Sequence, residues 1–289
     1  MTIEIERVSK AFGRARVLDG LSLEIPSLQR VALVGANGAG KTTLIRCLLG
    51  QYNFEGEIRI GGRSPRKDRR QVLKHTGFVP QLPPPLGLTV GQLIRFSAGL
   101  CDATPARMVS VAKRLGFDAE VLRQRPFAKL SGGQKQKLLI AVALGRDTNL
   151  LIMDEPAANL DPDARRTFFE LLAERSEQAT MLISSHRVDE VAQLVQRVVE
   201  LDQGKVCLDD HVSEAGALDA MLRCHLELCR PEPSAEKSMA EWGFSMAADR
   251  IHFDGGVPGP DRLRFLGMLA RYSGLIRNLQ LESKEPPHV

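Results

Sequence analysis

The segment Gly35-Ala-Asn-Gly-Ala-Gly-Lys41-Thr42 constrains the fold more than any other stretch of this 289-residue chain. It follows the short apolar run 30–34 and precedes a helical pattern from Lys41 to Leu49, closed by Gly50. The run reads as a buried strand, so the glycines occupy a strand-to-helix turn. In that setting G-x-x-x-x-G-K-[ST] is a phosphate-binding loop. Glycine lets successive backbone N–H groups turn toward one centre, and the helix N-terminus adds partial positive charge. Lys41 is placed to reach the β- and γ-phosphates of a nucleotide, and the Thr42 hydroxyl to ligate Mg²⁺.

Two further segments carry chemistry. Leu150-Leu-Ile-Met-Asp154-Glu155 is an apolar strand ending in two acids. A carboxylate at a strand's C-terminal edge beside a phosphate loop suits a Mg²⁺ contact, and the next acid can orient and deprotonate an attacking water. Taken alone, the pair also fits a strand ending at an ordinary solvated turn. In Leu130-Ser-Gly-Gly-Gln134, Ser131 has N-cap chemistry and the first helical turn holds two glycines. Bare N–H groups and a helix dipole then face outward together, which makes a second anion site on one chain. The plain alternative is a well-capped helix with a flexible start.

The remaining pattern places these segments. Strands are expected at 2–8, 20–25, 57–60, 76–80, 150–153 and 179–184, with a hairpin-like pair at 197–201 and 205–208. Residues 61–70 read as a loop, and Leu82-Pro-Pro-Pro-Leu86 as a surface loop, because proline fixes φ and lacks a donor. Helical periods run from Val90 to about Arg125, from Ser131 to about Gly145, over 162–176 and over 187–195. Beyond residue 220 the texture changes. A strand at 223–229, a helix at 235–242, strands near 244–247 and 250–253, a Gly/Pro loop at 255–260, a helix at 261–272 and a strand at 275–281 suggest a split-βαβ unit. The expected domains are therefore 1–220 and 221–289.

With these motifs in place, residues 1–215 resemble the nucleotide-binding subunits of ABC transporters. Gly35–Thr42 is like the Walker A loop, Leu130–Gln134 reads as the LSGGQ signature, and Leu150–Glu155 resembles Walker B with its catalytic glutamate. Gln81 looks like the Q-loop glutamine, Asn159-Leu-Asp161 like the D-loop and His186 like the H-loop switch. Phe12 occupies the place of the aromatic that stacks on adenine, usually Tyr. Ala36 stands where Pro or Ser is common, and Lys135 and Lys137 where Arg is common, which puts guanidinium-specific contacts there in doubt.

The resemblance implies an α/β fold: a P-loop ATPase with a RecA-like core, an antiparallel β subdomain and a helical signature subdomain, followed here by the small C-terminal α+β (ferredoxin-like) domain. It implies ATP and Mg²⁺ as ligands. The nucleotide would contact Phe12, Gly35, Ala36, Asn37, Gly38, Ala39, Gly40, Lys41, Thr42 and Thr43, and Mg²⁺ would contact Thr42, Gln81 and Asp154. Glu155 would be the general base and His186 would orient the water. Gln81 would link hydrolysis to the membrane subunit. Two copies would pair head-to-tail, so that Ser131, Gly132, Gly133, Gln134 and Asp161 of one act on nucleotide held by the other. Integral membrane permeases on separate chains would be the further partners, placing the protein at the cytoplasmic face of the membrane.

Composition is consistent with that picture and excludes some rivals. No stretch approaches the ~20 apolar residues of a membrane helix, and residues 1–10 hold no signal-peptide core. Five cysteines without a Cys-x-x-Cys suit a reducing compartment. The net charge of +4 is mild and matches the excess in the loop 63–70, which lacks the interleaved aromatics of a nucleic-acid platform. That loop reads as a solvated loop or as a contact for anionic headgroups or an acidic partner face. In Cys224-His225-x-x-x-Cys229 the two cysteines differ by an odd number and point to opposite faces of a strand, so convergence on one metal would need a bulge or another chain, and they read as strand packing residues. Chromosome-maintenance relatives insert a long coiled coil between Walker A and signature, and translation-factor relatives carry two ATPase units. Neither feature is present. A lone ATPase with a small α+β tail looks like ABC-2-type exporter subunits. Some importer ATPases carry C-terminal additions, generally of β-barrel type, which the helices expected at 235–242 and 261–272 disfavour. The alternatives kept are a soluble ABC ATPase acting on nucleic acid or the ribosome, and an importer ATPase.

Overall fold

The computed structural model describes residues 1–101, 103–185, 191, 194–211, 221–258, 265, 268–269 and 272–283. The chain divides into two compact units, Met1–Arg187 with Gln193–His211, and Val188–Ala192 with Val212–Val289.

In the first unit, β1 (Ile3–Phe12) lies between β2 (Ala15–Ile25) and β4 (Glu55–Ile60) in an antiparallel sheet. Ile3, Ile5, Val8, Leu21, Leu23, Ile58 and Ile60 are buried, which is the alternation visible in the sequence. β1 runs four residues beyond the predicted end. Register shifts after Ile5, Val8 and Lys10 break the alternation that marks a strand, while pairing with β2 continues to Phe12 opposite Ala15. Phe12 is thereby carried to the hairpin end, where Gly13 turns at φ 60°.

A six-stranded sheet has the order β5-β6-β7-β3-β8-β9. β5 (Thr76–Val79), β6 (Leu150–Asp154), β7 (Thr180–Ser184), β3 (Arg30–Val34) and β8 (Arg197–Asp202) are parallel, and β9 (Lys205–His211) is antiparallel at the edge. β6 and β7 are buried along their whole length, as strands covered on both faces must be. Helix α1 (Lys41–Leu48) follows β3 and buries Leu44, Ile45, Cys47 and Leu48. Cys47 is a packing residue, and burial pushes its thiol up to about 11. The predicted loop 61–70 instead ends in a short helix, α2 (Arg69–Lys74).

Three helices lie between β5 and β6: α3 (Val90–Leu100), α4 (Pro105–Arg114) and α5 (Gly132–Leu144). The helical stretch predicted to Arg125 stops at Arg114, because Gly116 takes φ 72° just past the helix end. The following turns fold back, and Gly91 N–H donates to the Arg123 carbonyl. Helix α6 (Pro162–Ala173) connects β6 to β7. Among the described residues no helix is long and apolar enough to cross a membrane.

The second unit contains an antiparallel sheet of order β11-β12-β10-β13, from β10 (Met221–Leu228), β11 (Ser245–Met246), β12 (His252–Pro258) and β13 (Ile276–Ser283). Helix α7 (Pro233–Glu241) joins β10 to β11. The first strand thus lies between the third and fourth. Cys224, Leu226, Leu228, Ala235, Met239, Phe253 and Phe265 form its core. The loop expected at 255–260 is strand as far as Pro258. Gly255 sits under Phe244, where a Cβ would lie 2.5 Å from the ring, so close packing and not a turn accounts for this glycine. The predicted helices at 187–195 and 261–272 fall mostly outside the described residues.

Candidate functional site

Three parallel strands deliver predicted residues to one edge of the sheet, and a fourth adds a residue that was not predicted. The glycine loop follows β3, Gln81 follows β5, Asp154 ends β6 and Glu155 follows it, and Ser184 ends β7. Ligands of open α/β sheets bind beyond the carboxyl ends of the strands, and all of these residues lie there.

The loop backbone depends on its glycines. Gly35, Gly38 and Gly40 take φ 140°, 87° and 109°. Gly40 is the N-cap of α1 and no side chain caps it, which leaves the first-turn N–H groups to a ligand. A Cβ on Gly35 would lie 2.3 Å from the Leu201 carbonyl oxygen. Gly35→Ala is therefore expected to destabilise the chain by about 2 kcal/mol and lower Tm by about 4–8 °C. Thermal unfolding checks this, and an unchanged Tm would refute the tight approach of β8 to the loop.

Lys41 is 6% exposed. Its ammonium donates to the carbonyls of Gly35 (2.6 Å) and Ala36 (3.1 Å). Burial lowers its pKa, and the charges of Glu155 and Asp154 oppose that shift. A buried cation facing two carboxylates is suited to receive phosphate oxygens.

Asp154 is 3% exposed and accepts a 2.6 Å hydrogen bond from the Ser184 hydroxyl. The same Oγ accepts from the Glu155 N–H at 3.0 Å. Ser184 thus fixes both acids at once. Sequence reasoning missed this residue, although a hydroxyl ending a buried apolar strand was the available signal. Glu155 takes φ 45°, a conformation that non-glycine residues seldom adopt. Its Oε2 accepts from Gln81 Nε2 at 3.1 Å. Lys41, Gln81, Asp154 and Glu155 are accordingly brought together, whereas His186 lies outside the described residues.

The LSGGQ-like segment is built as expected and adds detail. Ser131 caps α5 through a complete capping box: its hydroxyl accepts from Gln134 N–H (3.2 Å) and Gln134 Oε1 accepts from Ser131 N–H (3.1 Å). The segment backs onto the loop after Glu155. A Cβ on Gly133 would lie 3.1 Å from the Asn159 carbonyl, and the buried Gln136 donates to the Pro156 carbonyl at 3.0 Å. Lys137 pairs with Asp161 at 2.7 Å, so an ammonium makes this contact where Arg is common. That hydrogen bond, with a second from Ala164 N–H, holds the Asp161 carboxyl below its usual range. Among the hydrogen bonds of the described residues, none joins Ser131–Gln134 to the glycine loop. Phe12 stands apart from the carboxylates, 46% exposed, with its ring edge-on to Tyr52 at 5.2 Å between centroids.

Comparison with known proteins fits this geometry. The family described as ABC transporter matches residues 18–158. A Nod factor export ATP-binding protein I of Paraburkholderia xenovorans is 32% identical over 245 residues, covering 81% of this chain and 78% of that protein. The lipoprotein-releasing system ATP-binding protein LolD 1 of Rhodospirillum rubrum is 35% identical, with 71% and 96% covered. The sulfate/thiosulfate import ATP-binding protein CysA of Escherichia coli is 34% identical over 71% of this chain, which spans only 59% of that protein's length. Among solved structures, an ATP binding subunit of an ABC transporter superposes with a TM-score of 0.67 at 26% identity, covering 73% of this chain and 90% of that one.

Proposed function

Because the chain belongs to the ABC transporter family of ATP-binding subunits and is an ATPase of that family, we propose that it is the motor of an exporter, acting as a homodimer on membrane permeases carried by separate chains. The observation that carries the motor assignment is the convergence of Lys41, Gln81, Asp154 and Glu155 at one sheet edge. Export is favoured because the similarity to the Nod factor export protein extends over 81% of the chain, against 71% for the sulfate/thiosulfate importer. Among the described residues, the C-terminal unit is an open four-stranded sheet with a helix, which points the same way. Such a motor works peripherally at the cytoplasmic face of its membrane.

The residues present fit Mg²⁺. The Thr42 hydroxyl, the Gln81 amide oxygen and the Asp154 carboxylate are hard oxygen donors. Ser184 engages only Oδ1 of Asp154, and Gln81 meets Glu155 through its nitrogen, which leaves an oxygen of each available. When bound, Mg²⁺ neutralises charge on the β- and γ-phosphates.

The chain's own residues do the rest. Phe12 stacks on the base, and the N–H groups of Gly38 to Thr43 line the phosphates. The Lys41 ammonium exchanges a loop carbonyl for a phosphate oxygen. Glu155 takes the proton of the attacking water while the Gln81 amide orients its carboxylate, and His186 meets the γ-phosphate. Ser131–Gln134 of the other protomer close the site.

The test is purification of the intact chain with its membrane partners. A permease is expected to co-purify, and Lys41→Met is expected to abolish ATP hydrolysis. A chain that hydrolyses ATP only with nucleic acid or ribosomes would replace this reading by the soluble one.

A further inference from the structure

Phe12 ends β1 opposite Ala15, whose methyl group provides little packing for an aromatic ring. It lacks a hydroxyl with which to anchor itself by a hydrogen bond. A half-exposed phenyl at a hairpin end has little to select one rotamer, yet stacking on a base requires one. The neighbours supply what the strand does not. Tyr52, half-buried against the main core, meets Phe12 edge-to-face with an interplanar angle of 78°. The Lys10 ammonium lies 4.8 Å from the Phe12 centroid and 5.6 Å from that of Tyr52, so one cation spans both rings. Arg46, in the last turn of α1, donates to the Tyr52 hydroxyl at 2.5 Å and lies 5.5 Å from its ring centroid.

We propose that Tyr52 is a positioning residue for nucleobase recognition: braced by Arg46 on the helix whose N-terminus binds phosphate, it holds the Phe12 ring ready to stack. The inference rests on the reading of Phe12 as the base-stacking aromatic. It adds a physical link between the two ends of the nucleotide, since α1 carries the phosphate loop at its start and the Tyr52 brace at its end. Phe12 reaches that helix through Tyr52 and Arg46, and Lys10 ties it back to β1.

The experiment measures binding of ATP and of inorganic tripolyphosphate, which has no base, to the full-length chain by calorimetry. Tyr52→Leu is expected to weaken ATP about threefold to tenfold and to leave tripolyphosphate unchanged. Tyr52→Phe keeps the edge-to-face ring but loses the hydroxyl that Arg46 holds, so its ATP affinity is expected to lie between those of the wild type and Tyr52→Leu. Phe12→Ala should cost at least as much as Tyr52→Leu, and the double variant no more than Phe12→Ala alone. If Phe12→Ala weakens ATP and Tyr52→Leu does not, the brace is refuted while the Phe12 reading stands. If neither substitution changes ATP affinity, the Phe12 reading itself falls, and the brace with it. Equal weakening of ATP and tripolyphosphate by Tyr52→Leu would mean a general disturbance of the phosphate loop, which also overturns the proposal.

Discussion

Glu155→Gln is expected to lower steady-state ATP hydrolysis about 10²- to 10⁴-fold, the usual contribution of a positioned general base. The surroundings of Glu155 make this substitution a clean probe. Its N–H is held by the Ser184 carbonyl and hydroxyl, and its Oε2 accepts from the Gln81 amide. Glutamine keeps the side-chain volume and an acceptor oxygen for Gln81, so the geometry survives while the basic carboxylate is lost. ATP binding should therefore persist, and an ATP-bound dimer should accumulate on gel filtration. The backbone at φ 45° costs about 1–3 kcal/mol, and both residue types bear it equally. Phosphate release at the wild-type rate would remove Glu155 as the base.

Ser131→Arg is expected to abolish that ATP-dependent dimer and, with it, cooperative hydrolysis, while one protomer still binds nucleotide. The α5 N-terminus makes no hydrogen bond to the glycine loop of its own chain among the described residues, and its capping box uses the N–H groups of Ser131 and Gln134, which leaves those of Gly132 and Gly133 for a second copy. A long cation at Ser131 would fill the space that, in the proposed head-to-tail pair, a γ-phosphate held by the other protomer enters. Loss of the capping box by itself costs about 1 kcal/mol. Ser131→Asn, which retains cap chemistry, separates that effect from the block. Nucleotide binding lost in the Ser131→Arg monomer would contradict the shared site.

Much of the site was legible because its parts are local. Gly35–Thr42 and Leu130–Gln134 each encode a turn, a cap and a helix start within a few residues, and those backbone preferences act without the rest of the fold. Asp154 and Glu155 were legible as a strand-end pattern and Gln81 through the family resemblance, although their meeting depends on sheet order. Ser184 was harder to read. Its role exists only because β7 pairs with β6 in the register that sets it beside Asp154. Gly255 was misread for a related reason, since it answers to the Phe244 ring eleven residues away in sequence and not to a turn.

The sequence by itself pointed to the strand-to-helix glycine turn, the capped helix and the acid pair, because each is written in short-range backbone chemistry or in hydrophobic period. The tertiary structure alone decided which distant groups meet. Ser184 bridges both acids, Lys137 and Gln136 tie α5 to the loop after Glu155, and Tyr52 braces Phe12 against α1. Strand register and helix packing set those encounters, and a residue's type carries no record of the partner that a register shift of one position would exchange.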